Sequence, residues 1–180
     1  MAQKLAAILV PVFVLLSTAA MAQDQGDGKD QWASVRVLEG VWEGNGAGFG
    51  QTSTVTHTWR FVLDGNFLQL STKSVTDAAE DGDGEIHEDV GYVSWSEGDE
   101  TLRFRQFLSE GFVNSFTIQE AAHPEVGLNF EPVSTDGMAT FAVRMTLRFS
   151  GEDAYEMIME MGTKGKELQA CQSMELERVN

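Results

Sequence analysis

Two short stretches constrain this chain more than any other feature. Leu38-Glu39-Gly40-Val41-Trp42-Glu43-Gly44-Asn45-Gly46 sets one tryptophan among glycines. Trp59-Arg60-Phe61-Val62-Leu63-Asp64-Gly65-Asn66-Phe67-Leu68 is an aromatic strand, a tight turn and another strand. Asp-Gly-Asn between two β-rich runs demands an antiparallel hairpin. Glycines at Gly44, Gly46, Gly48 and Gly50 strip side chains from the first strand, which lets it bend sharply and close a sheet on itself. The two stretches predict the opening of a small antiparallel barrel, an architecture that usually encloses one ligand.

Turn-forming residues cut the remainder into strand-like runs at 52–62, 67–75, 86–95, 101–108, 112–119, 127–132, 138–149, 154–161 and 168–179. With the tryptophan strand these make about ten strands. Nearly every connection is short, which implies an up-and-down meander rather than crossovers. Trp32, Val35 and Leu38 recur at helical spacing and predict a short helix laid across one barrel end. The fold class is therefore all-β, an antiparallel up-and-down barrel with a short N-terminal helix.

Before this domain lies an address. Lys4 gives a positive start, residues 5–16 are apolar, and Ala20-Met21-Ala22 before Gln23 fits a signal-peptidase site. Residues 1–22 read as a signal peptide, 23–31 as a flexible polar leader, and 32–180 as the barrel domain. The apolar run falls short of the about 20 residues a membrane span needs, so no stable membrane anchor is expected after cleavage. Export places the protein in the periplasm. Removing Lys4 from 12 basic residues leaves 11 against 28 acids, a mature balance of −17. That charge argues against nucleic acid and anionic membrane surfaces. Cys171 is the single cysteine, so no internal disulfide forms and stability must come from packing.

Few residues carry recognisable chemistry. The acids Asp77, Glu80, Asp81, Asp83 and Glu85 raise calcium, but the EF-hand glycine and closing glutamate are missing. Alternating glycines after Trp42 lack the lysine of a phosphate loop, and no nucleophile elbow is present. His57 lies among Thr54, Val55, Thr56 and Thr58 and reads as solvent-facing; His123 precedes Pro124 in a loop and reads as surface. His87, beside Glu88 and Asp89, is either a lumen group or a rim histidine. Met157, Met159 and Met161 share one strand face, which suits an adaptable apolar pocket. Arg103, Arg105, Arg144 and Arg148 stand on strands, where pairing with surface acids competes with a role toward an anionic ligand.

In this order of elements the chain resembles the nitrobindin-like family of haem-binding barrels and related bacterial barrels, within the calycin group that includes lipocalins and fatty-acid-binding proteins. Four places carry the likeness: residues 38–46, similar to the family's L-x-G-x-W-x-G-x-G opening; residues 59–68; Ile86-His87-Glu88-Asp89-Val90-Gly91-Tyr92, similar to H-x-E-x-G-Y/F; and Cys171-Gln172-Ser173-Met174-Glu175-Leu176-Glu177-Arg178-Val179, similar to the closing H-L-x-A-x-L-x-R-V. The resemblance implies a ten-stranded barrel with a short helix. In haem-binding members it implies ferric haem and isomerisation of peroxynitrite to nitrate. The closing-strand histidine that ligates iron in those relatives aligns with Cys171 here. A thiolate can hold haem iron, and a histidine from another strand is an alternative ligand, but the default expectation is loss of haem.

The reading is an exported barrel that binds a small hydrophobic or amphipathic ligand, a binding protein rather than an enzyme. The expected lumen residues are Trp42, Trp59, Phe61, His87, Phe104, Met157, Met159 and Cys171. One alternative is a haem protein with iron on His87 or Cys171 that acts on reactive nitrogen species. Another is a filled barrel that serves as an interaction module.

Overall fold

A computed structural model describes residues 30–76, 84–120 and 127–179. The expected signal peptide, most of the expected leader, the acids Asp77, Glu80, Asp81 and Asp83, and His123 lie outside the described residues. Ten antiparallel strands follow one another: β1 (Gly40–Gly48), β2 (Gln51–Val62), β3 (Phe67–Thr76), β4 (Ile86–Ser96), β5 (Thr101–Leu108), β6 (Val113–Glu120), β7 (Leu128–Asp136), β8 (Phe141–Phe149), β9 (Ala154–Thr163) and β10 (Gln169–Val179). Each pairs with its sequence neighbours, and β1 pairs with β10 to close the cylinder. The expected meander is thus the observed topology. The N-terminal helix is reduced to one 3-10 turn, Arg36–Leu38. It still lays Trp32, Val35 and Leu38 across one barrel end, all three buried.

Two strand boundaries differ from the sequence reading by three residues or more. β7 runs past Pro132 to Asp136, with a register shift against β6 between Ser115 and Phe116. Strand β8 begins at Phe141 rather than Met138. β7 and β8 pair only over 128–130 against 145–147. Pro132 has no N–H to donate to a continued ladder, which fits the seam that opens there. Arg144 spans it from outside, with its Nε 3.2 Å from Glu131.

Period-two alternation sends one side-chain set inward on every strand. At the end under the 3-10 turn that set fills the lumen. Trp42, Trp59, Phe104, Phe116 and Phe130 are buried, with the Phe104 and Phe130 rings edge to face at 5.4 Å. Burying each such ring is worth about 1.5–3 kcal/mol, so this aromatic plug is the main store of stability.

Arg178 locks the plug to the closing seam. Its guanidinium lies 4.1 Å from the centre of the Trp42 ring and donates to the backbone oxygens of Val37 and Glu39. Trp42 in turn donates its indole N–H to the Leu38 carbonyl at 2.7 Å. The seam leaves no room for a side chain at Gly44, where a Cβ would stand 1.9 Å from the Glu175 carbonyl oxygen. The atoms it would meet are β10 backbone, which cannot step aside as a side chain could. Gly44→Ala should therefore lower stability by about 3 kcal/mol, at the upper end of overpacking costs. A urea midpoint equal to that of the natural chain would contradict this account of closure.

Candidate functional site

Above the plug the inward residues become shorter and more polar. Trp59 on β2 gives way to His57 and, beyond Val55, to Ser53, Leu70 on β3 to Thr72 and Ser74, and Phe104 on β5 to Gln106. Shorter side chains on a wall of fixed diameter leave space. The result is an outer cavity of about 340 Å³ at the open end, lined by Leu108, Asn114, Thr135, Val143, Met159 and Met161 among others. Beneath it lies an inner cavity of about 40 Å³ bounded by His57, Thr72, Asp89, Gln106, Met145 and Met157. Ser74, His87, Leu108, Met159 and Gln172 border both, so the two are successive chambers of one lumen. A larger recess of about 500 Å³ lies at the plugged end near Asp30 and Trp95, outside the lumen.

The lumen histidines have opposite electrostatics. His57 is 1% exposed, and its Nδ1 shares a 2.7 Å hydrogen bond with the Tyr155 hydroxyl. Burial pushes its pKa down to about 4 against the pull of Asp89, so the ring is neutral. Tyr155 is held protonated by the same burial. His87 is pushed up to about 9 by Asp89 and, against some desolvation, by Glu110. Its Nδ1 is 2.7 Å from Glu110, a charged hydrogen bond, whereas its Nε2 is 3.7 Å from Asp89, where the carboxylate acts through charge rather than a formed hydrogen bond. Near neutral pH His87 is an imidazolium clamped between two acids.

The structure distributes the expected lumen residues unevenly. Trp42, Trp59 and Phe104 face inward but belong to the solid plug. Phe61 packs edge-on against Trp32 at 5.5 Å, at the capped end. Met157 borders the inner chamber, and His87 and Met159 border both. Cys171 borders neither. It stands one residue off the inward series Leu176, Met174 and Gln172, beside a bulge between Ala170 and Gln172, with its thiol 3.3 Å from the Met159 carbonyl oxygen. Gln172 takes the inward place. His57 is also corrected: it is a buried lumen group, not a solvent-facing one. The small polar residues around it line the inside of a polar chamber, where composition resembles an outer face. Gln106, Asn114, Thr135 and Gln172 were not anticipated, although counting in twos from Phe104 or Leu176 reaches Gln106 and Gln172.

A closed cylinder, half plugged and half hollow, defines a ligand-binding β-barrel. A family model described as the THAP4-like, heme-binding beta-barrel domain matches residues 31–178, and the chain belongs to this family. No curated protein matches it. Among solved structures it is similar to Rv2717c from M. tuberculosis, with 18% identity, a TM-score of 0.60, and coverage of 86% of this chain and 100% of that one. It is also similar to the S-type phycobiliprotein lyase CPES from Guillardia theta, with 10% identity, a TM-score of 0.51, and coverage of 85% and 98%. At these identities the likeness is one of fold.

The residues around this lumen do not fit haem. As a lone protein ligand haem iron takes a neutral imidazole, a thiolate or a phenolate, and a methionine thioether serves beside a histidine. Tyr155 is held protonated against His57 and borders neither chamber. His87 is protonated and doubly engaged by acids. Cys171 points away from the lumen, and burial pushes its thiol pKa up. His57 is neutral but borders only the 40 Å³ chamber, far too small for a porphyrin. Among the described residues no group of three or more His, Cys, Asp or Glu could hold a metal ion.

The two histidines should titrate far apart. Proton NMR should find one imidazole changing near pH 9 and the other still neutral at pH 5. The linked stability effects have opposite signs. The raised His87 pKa contributes stability that is complete below about 6.5 and is lost as pH rises through 9. Buried neutral His57 loses stability as pH falls from about 6.5 toward 4, because the unfolded chain then takes up the proton. Natural chain and His87→Gln should converge in melting temperature between pH 6.5 and 9; a constant difference across that window would contradict the His87 assignment.

Proposed function

We propose that this protein is an exported carrier or reservoir for a small amphipathic molecule held in the open half of its lumen. The observation that carries the reading is the 340 Å³ chamber, within the size range of ligand pockets, above a plug that leaves no second way in from the capped end. Met159 and Met161 on one side, with Val143 and Leu108, supply an apolar wall that adapts to shape. Asn114, Thr135 and His87 supply polar contacts within it. Residues 1–22 direct export, and the working form begins near Gln23 in the periplasm.

Nile red, a neutral fluorophore, tests the chamber. It should bind saturably at a single site, and Val143→Trp, which fills the space, should weaken it by about tenfold or more while the β-sheet circular dichroism is unchanged. Lack of saturable binding to the natural chain would overturn the reading. N-terminal sequencing of protein recovered from the periplasm should begin near Gln23; recovery of the intact N-terminus would overturn export.

The ligand differs from the family's haem because of one strand position. Haemin titration of the natural chain should give no Soret band shifted by ligation. Cys171→His should give none either, because residue 171 falls off the inward series and borders neither chamber. Gln172→His puts an imidazole on the inner wall and should produce one. A ligated Soret band in the natural chain would reinstate haem.

A further inference from the structure

We propose that the lumen selects a primary alkylammonium, with the charged head in the inner chamber against Asp89 and Gln106 and the apolar body in the outer chamber. This rests on the ligand-binding reading above and names the chemistry of the ligand. Asp89 is 5% exposed, yet its Oδ1 has no hydrogen-bond partner. Gln106 and Asn114 are equally buried, and each has an unpartnered amide oxygen. The three residues stand on adjacent strands β4, β5 and β6, with Gln106 and Asn114 directly opposite each other. Buried polar atoms are normally satisfied, and a lone buried carboxylate oxygen is the costliest of them to leave bare.

Charge decides which partner fits. Asp89 and Glu110 bring two negative charges to the throat and His87 brings one positive, so one negative charge is uncompensated. Glu85 adds another at the rim. No Lys or Arg is among the described residues lining either chamber. A carboxylate or phosphate head would enter unpaired and beside like charge. The amides of Gln106 and Asn114 can turn to donate or accept, but an ionised Asp89 only accepts, so the selection rests on Asp89. An ammonium group offers three donors and no acceptor. Its size suits a chamber of about 40 Å³, which holds little more than one water. A trimethylammonium head is too large for it and has no N–H to give.

Calorimetric titration of the mature chain with decylamine, decanol, decanoate and decyltrimethylammonium, each below its micelle concentration, tests the assignment. Decylamine should bind about tenfold tighter than decanol, with decanoate weakest and decyltrimethylammonium no better than decanol. Asp89→Asn should abolish the advantage of the amine, so that decylamine and decanol bind the variant about equally. Decanol, decanoate or decyltrimethylammonium matching decylamine would overturn the proposal, as would an amine affinity unmoved by Asp89→Asn. Should that variant fail to fold, the ranking on the natural chain decides alone. Saturable Nile red binding without an amine preference sinks only the ammonium assignment; no binding of any of these probes sinks the ligand-binding reading with it.

Discussion

Strand β1 lies between β2 and β10 because Gly44 presents no side chain to the Glu175 carbonyl. That close approach turns a twisted ten-stranded sheet into a cylinder with no free edges. Arg178 completes the closure from the other side, stacked on Trp42 and tied to the backbone of the turn below. Everything inside follows from it. A closed wall fixes the interior volume, and the residues on it can only choose which part of that volume to fill.

They fill it by height. Near the cap the inward positions are aromatic and branched and the lumen is solid; near the mouth they are Ser53, Ser74, Asn114 and Thr135 and it is hollow. The aromatic half stabilises a wall whose other half contributes little packing, and the cost of that hollow half is concentrated in a few buried polar atoms. His57 and Tyr155 satisfy each other. Asp89, Gln106 and Asn114 each keep one unpartnered oxygen near the hollow half, as Trp59 keeps its indole N–H in the plug.

The fold was largely legible because its signals are local. Asp64-Gly65-Asn66 names a hairpin, alternation names strands, and short connections name a meander. The lumen was legible only in projection. Alternation says which side of the wall Trp42 or Phe104 occupies, but not how far along the axis it stands, so residues of the plug and residues of the chamber looked alike. Neighbour composition misled at His57, since threonines suit a polar chamber as well as they suit solvent. At Cys171 the alternation was legible, since counting in twos from Leu176 through Met174 reaches Gln172 and passes Cys171 by, but the family motif pointed to Cys171 instead.

On the closing strand alternation and the family motif point apart. The strand supplies the inward series Leu176, Met174 and Gln172, and Cys171 falls one residue off it beside the bulge. No imidazole stands at an inward place on that strand. The rest of the lumen is then free to be read by its own chemistry. That chemistry is acidic, with one imidazolium shared between Asp89 and Glu110, in a chain whose exposed arginines Arg103, Arg144 and Arg148 are engaged by acids on the outer surface. Apart from His87, the described residues lining the chambers carry no positive charge, and a cationic guest would supply it.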